Sequence, residues 1–124
     1  MIASEADTNR SIRTLVVEDS FLLGLQMKTD LEQLGMSVIG PVPNVRAAID
    51  AIDQQKVEAA ILDINLGKEN SFPVAHALKE RGIPFVFITG YDDLILDDKL
   101  LEGHALFRKP IRMDTLSEAV RRFG

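Results

Sequence analysis

The chain has 124 residues, 46% of them apolar, a formal net charge of −5 and no cysteine. That length suits one domain with its own core, and the lack of thiols excludes disulfides and thiolate metal sites. No apolar run approaches the roughly 20 residues that span a bilayer, and the acidic balance argues against general binding to nucleic acid, although Arg108, Lys109, Arg112, Arg121 and Arg122 make the end locally basic.

Residues 1–10 are polar and carry Glu5 and Asp7, so they match neither the apolar centre of a secretory signal nor an acid-poor transit segment. A frayed tail is expected there, followed by a single domain over residues 11–124 of a soluble, cytoplasmic chain. Ile12 to Val17 reads as a buried strand ending at Glu18-Asp19. Ser20 or Asp19 then caps a helix through about Gly35, with Phe21, Leu22, Leu25, Leu31 and Leu34 toward its inner face. Met36 to Ile39 is a short second strand ended by Gly40-Pro41-Val42-Pro43. Asn44 caps the next helix, whose apolar positions are Val45, Ala48, Ile49 and Ile52.

The third strand runs to Leu62 and meets Asp63, and a polar loop leads to a helix from about Ser71 to Arg81 with Pro73 in its first turn. Pro84 to Ile88 is the fourth strand, ended by Thr89-Gly90-Tyr91. Leu94 to Leu101 is a weak fourth helix among Asp92, Asp93, Asp97 and Asp98. Ala105 to Phe107 is a fifth strand before Lys109-Pro110, and a last helix from about Asp114 to Arg122 is capped by Asp114 or Thr115. Strand and helix alternate, which predicts an α/β fold: a doubly wound, flavodoxin-like five-stranded parallel sheet, (βα)5, of order 2-1-3-4-5.

In such a sheet the carboxyl ends of the strands share one edge, so Glu18, Asp19, Asp63, Thr89 and Lys109 are expected to meet. Magnesium takes about six hard oxygen ligands, commonly one or two carboxylates plus waters and a phosphoryl oxygen. Glu18, Asp19 and Asp63 supply such carboxylates, a cation relieves their mutual repulsion, and the backbone carbonyl of Asn65 is a further candidate ligand. Phosphoryl transfer needs positioning and charge stabilisation above all. Asp63 is therefore the candidate nucleophile, Lys109 the cation for a phosphoryl oxygen and Thr89 a hydrogen-bond donor to another. Taken singly, each of these residues reads as a cap, a turn or a solvated charge; the conjunction at four strand ends carries the assignment. His76 and His104 lack a ligand partner at suitable spacing, and Met27, Met36 and Met113 suit gap filling.

The segments Leu15-Val16-Val17-Glu18-Asp19-Ser20, Ile61-Leu62-Asp63-Ile64-Asn65-Leu66, Thr89-Gly90 and Arg108-Lys109-Pro110 together resemble the receiver domain of bacterial two-component response regulators. The resemblance implies that Asp63 accepts a phosphoryl group from a sensor histidine kinase, that magnesium is required and that the domain hydrolyses its own aspartyl phosphate. It also implies a cis peptide bond at Lys109-Pro110. Phe87-Ile88-Thr89-Gly90-Tyr91 is similar to the Phe-Ala-Thr-Gly-Tyr signature of alphaproteobacterial single-domain regulators, with Ile88 in place of alanine. That likeness implies a kinase of the HWE type.

Two departures stand out. The family's switch aromatic, three positions before the lysine, is Leu106 here, so Tyr91 and the acidic segment from Asp92 to Leu101 are expected to carry the conformational response. No output domain is expected after the last helix, so the expected role is a stand-alone switch, a shuttle to a histidine phosphotransfer protein, or a phosphate sink. A magnesium-dependent phosphatase is the alternative enzyme, disfavoured because Asn65 stands where its second acid is wanted. A binding module that is not phosphorylated is the other alternative, and a flavin site is disfavoured by Glu18-Asp19-Ser20 at the first turn.

Overall fold

The computed structural model describes residues 11–90, 106–109 and 111–123. The tail, Tyr91, the Asp92 to Leu101 segment with its weak helix, His104 and the Lys109-Pro110 bond lie outside these residues.

Five strands, β1 (Arg13–Val17), β2 (Ser37–Val42), β3 (Ala59–Asp63), β4 (Phe85–Thr89) and β5 (Leu106–Arg108), form one sheet of order β2-β1-β3-β4-β5. Every pairing is parallel, in the order expected from the crossover rule. The described helices are α1 (Phe21–Gln33), α2 (Val45–Gln54), α3 (Phe72–Glu80) and α4 (Met113–Arg121). Alternating side chains of the strands feed opposite faces, as the two-residue strand period requires. Leu15, Val17, Ala60, Leu62 and Phe87 pack beneath α2 and α3, where Phe87 meets Phe72 and Phe85 edge-on at 5.9 and 5.5 Å. Val16, Ile61, Val86 and Ile88 face the other way, onto Met27 and Leu31 of α1 and Leu116 and Ala119 of α4. A sheet covered on both sides explains why β3 is buried at every position, the signature of a central parallel strand.

Three local expectations need correction. α1 turns Gly24, Met27 and Leu31 inward, while Phe21 and Leu22 are 70% and 77% exposed and Leu25 also faces solvent. The run Phe21-Leu22-Leu23 is apolar on every side, so composition does not select a face; close packing does. A Cβ on Gly24 would lie 2.6 Å from Cβ of Pro41, so this glycine lets α1 approach β2.

β2 does not stop at Ile39 but continues through Gly40 and Pro41, joined by a cis peptide bond, to Val42. Leu15 pairs with Ile39 and Val17 with Val42, so three steps of β2 span two of β1, an irregularity that Gly40 accommodates at φ 102°. A Cβ there would press within 3 Å of Val42 N and Val16 O.

The last helix is preceded by Arg112 as its cap residue, with no side-chain capping bond. Asp114 instead sits inside the first turn, where a carboxylate favours the positive end of the helix dipole. The Ser20 and Asn44 caps form as expected, accepting from Leu23 N–H (3.4 Å) and Ala47 N–H (2.8 Å).

Candidate phosphoryl and metal site

β1 delivers Glu18 and Asp19 just past its last pair, at Val17, and β3 ends on Asp63 itself. One oxygen from each of these three carboxylates lies within 4.8 Å of the others. Glu18 and Asp63 are each only 2% exposed, whereas Asp19 is open to solvent. β4 supplies Thr89, also buried, and its carbonyl accepts from Lys109 N–H at 2.8 Å, so the end of β4 fixes the start of the Lys109 turn.

From that turn the Lys109 ammonium reaches the acids, donating to Asp63 Oδ2 at 2.8 Å and lying 3.0 Å from Glu18 Oε1 as an ion pair. Glu18 Oε2 accepts from Ser20 N–H at 3.1 Å, so both of its oxygens face positive partners. Asp63 Oδ1 is buried with no hydrogen-bond partner. A buried carboxylate oxygen left unsatisfied is costly, and an incoming cation or electrophile would relieve it. The three-carboxylate donor set is likewise hard and anionic, the kind that suits magnesium.

The electrostatics follow from burial. Loss of solvent raises Asp63 from 3.8 to about 7; the Lys109 hydrogen bond opposes the shift and the neighbouring Glu18 charge adds to it. Partial burial, then Glu18, raises Asp19 as well. Burial pulls Lys109 down, but its hydrogen bonds to Asp63 and Glu18 and their charges outweigh that and raise it, keeping the ammonium charged. An apolar groove of about 430 Å³ opens beside Glu18 and Lys109, walled by Leu23, Met27, Ile111 and Leu116.

The expected residues thus divide into three sets. Glu18, Asp19, Asp63 and Lys109 converge, and Thr89 adjoins them through its backbone, its hydroxyl lying 3.2 Å from the Gly90 carbonyl. Asn65 lies in the loop just past Asp63, its side chain accepting from Gly67 N–H at 2.9 Å. Leu106 stands apart, 43% exposed on β5, while its neighbour Phe107 turns toward the core under the Arg122 guanidinium, 5.8 Å from the ring centroid.

Two contributors escaped sequence reasoning. The Val42 carbonyl accepts from Glu18 N–H at 2.9 Å, and Pro41 packs on Gly24 beside Glu18. Backbone acceptors carry no residue-type signal, so only the register of β2 could have disclosed the first.

The response regulator receiver domain model matches residues 14–121. The chain belongs to that family. This receiver domain superposes on the solution structure of SdrG from Sphingomonas melonis Fr1 with a TM-score of 0.80 and 37% identity, covering 91% of this chain and 96% of that one. SdrG in its BeF3-activated conformation gives 0.76 at the same identity, over 90% and 96%. Among curated relatives, the phyllosphere-induced regulator PhyR of Methylorubrum extorquens is 28% identical over 94% of this chain and 45% of its own length. The sensory transduction protein LytT of Bacillus cereus is 27% identical over 90% and 47%. The receiver domain therefore spans about half the length of the curated relatives it matches, and its family is that of two-component signal transduction.

Proposed function

We propose that Asp63 is the phosphoacceptor of a response regulator that takes its phosphoryl group from the phosphohistidine of a sensor kinase. The observation that carries this reading is Lys109, held between Asp63 and Glu18 while Asp63 Oδ1 stays buried and unpartnered. A carboxylate oxygen of Asp63 forms the new O–P bond as the P–N bond to the imidazole breaks, and the imidazole keeps the electron pair and takes up a proton. Lys109 passes from the carboxylate to a phosphoryl oxygen. Thr89 turns its hydroxyl from the Gly90 carbonyl to another.

Asp19 and Asp63 would hold magnesium with the Asn65 carbonyl, and Glu18, whose oxygens already face Lys109 and Ser20 N–H, would add charge. Bound there, the ion would neutralise the acids and draw charge from the transferring phosphoryl oxygens. Because Leu106 cannot act as the usual aromatic relay, we assign the conformational response to Tyr91 and the segment after it.

The likeness of Phe87-Ile88-Thr89-Gly90-Tyr91 to the single-domain regulator signature favours a kinase of the HWE type. A histidine phosphotransfer protein is the second partner that fits a shuttle. A cytoplasmic setting agrees with the cysteine-free composition, and among the described residues no helix is long and apolar enough to cross a membrane.

Incubation with magnesium and acetyl phosphate, followed by intact mass measurement, tests the reading. A gain of one phosphoryl group that vanishes in Asp63→Ala supports it. Multiple turnover of unrelated phosphomonoesters would instead indicate a phosphatase, and inertness a binding module.

A further inference from the structure

The loop from Asp63 to Phe72 is tied at several points. Asn65 and Asn70 form an antiparallel bridge, Ser71 N–H donates to the Ile64 carbonyl (3.0 Å), and Leu66 N–H donates to that of Glu69 (2.9 Å). Leu66 is buried in the core beneath α2 and α3. The loop also reaches the acids: Gly67 has φ 88°, and a Cβ there would lie 3.7 Å from Asp19 Oδ2.

Glu69 carries a tie of a different kind, leaving the loop for another helix. Its Oε2 accepts from the N–H of Val45, the first residue of α2, at 2.9 Å across 24 positions of sequence. The Asn44 side chain takes Ala47 N–H, so the two side chains satisfy different donors at this helix start. A carboxylate suits the place, since the helix N-terminus carries partial positive charge and a hydrogen bond to an ionised acceptor is strengthened.

We propose that Glu69 is a positioning residue for the metal site: by holding Val45 N–H it sets the height of the 64–70 loop over Asp19. It thereby places the Asn65 carbonyl, an inference that rests on the reading of Asp63 and Asn65 given above. β3 anchors one end of the loop and α3 the other, while Leu66 and Glu69 restrain the middle. Coupling of this kind is reciprocal, so magnesium at the acids slows hydrogen exchange at the Val45 amide.

Magnesium titration of the full chain by calorimetry, with amide exchange followed by NMR, tests the tie. Glu69→Ala weakens magnesium binding by about three- to tenfold, the scale of losing a charged cap that supports a ligand. It also abolishes the magnesium-dependent protection of Val45. Glu69→Gln keeps an acceptor and restores most of the affinity.

Val45→Pro removes the donor where proline is tolerated, at the first helical position after an extended Asn44 (φ −150°, ψ 172°), and reproduces the loss. The double variant Glu69→Ala/Val45→Pro binds no more weakly than either single variant. Unchanged magnesium affinity in Glu69→Ala, with or without a lower Tm, overturns the proposal, as do losses that add in the double variant. Failure of the underlying reading is distinguishable, because the wild-type chain would then neither bind magnesium nor take a phosphoryl group on Asp63.

Discussion

β2 and β3 flank the same strand and end at the same edge of the sheet, yet they contribute in opposite ways. β3 ends in a buried carboxylate with one unpartnered oxygen, whereas β2 ends in Val42, whose backbone carbonyl holds Glu18 N–H and whose neighbour Pro41 packs on Gly24. One strand end brings reactive charge and the other a frame for it. The comparison teaches that a strand end without a reactive side chain can still govern the site, through backbone position. It also ranks what mutations should do.

The largest effect belongs to β3. Asp63→Asn removes the nucleophile but preserves shape, so phosphoryl uptake from acetyl phosphate is lost altogether while Tm at pH 8 holds or rises. The rise follows from burial, which already disfavours the Asp63 charge. Intact mass and a thermal melt check both halves; uptake persisting at another residue would move the phosphoacceptor away from the end of β3.

Lys109→Met strikes the same end through its cation. Breaking a buried ion pair costs about 3–5 kcal/mol. The Lys109 side chain is 23% exposed, and Asp63 can take up a proton, so a loss of about 1–3 kcal/mol is expected in the absence of metal. Removing a positive charge from an acidic cluster also strengthens magnesium binding, by about three- to tenfold. Denaturant melts and magnesium titration should therefore move in opposite senses. Weaker magnesium binding in the variant would refute the competition between ammonium and ion.

The contrast between the two strand ends also explains what sequence could disclose. Asp63, Glu18-Asp19, Thr89 and Lys109 each close an apolar run, and parallel order alone gathers such positions, so the acid cluster and its lysine were legible. The inward face of α1 was not, because Phe21, Leu22 and Leu25 are as apolar as Met27 and Leu31 and the deciding contact, Gly24 on Pro41, joins residues far apart in the chain. The reach of β2 was hidden for a related reason. Gly40-Pro41 reads as a strand breaker, yet the local irregularity against β1 carries the strand past it.

pH separates the two ends further, since titration acts on the acids and leaves the Val42 carbonyl alone. Asp63 moves from 3.8 unfolded to about 7 folded. Its contribution to stability is therefore fully present below pH 3.8 and is lost as pH rises through about 7. Asp19, also raised, acts in the same sense. Magnesium requires the ionised carboxylate, so its affinity climbs over the same interval, by up to about tenfold per pH unit for one released proton. Calorimetry at pH 5.5 and pH 8 in buffers of different ionisation enthalpy counts that proton. Proton release absent at pH 5.5 would contradict the raised Asp63.

The smallest effect tests the frame at β2. Gly24→Ala sets two terms against each other: alanine favours a helix interior over glycine by about 1 kcal/mol, while overpacking a filled contact costs about 1–3 kcal/mol. The clash should win. Its partner atoms belong to the rigid Pro41 ring, at 2.6 and 2.7 Å, rather than to the tip of a flexible side chain. A net loss of about 1 kcal/mol is expected from these terms. The displacement is transmitted along Pro41-Val42 to the carbonyl that holds Glu18 N–H, so magnesium affinity falls as well, about twofold to fivefold. A variant that lost stability and kept its magnesium affinity would confine β2 to packing, and the frame would then rest on β1 and β3 alone.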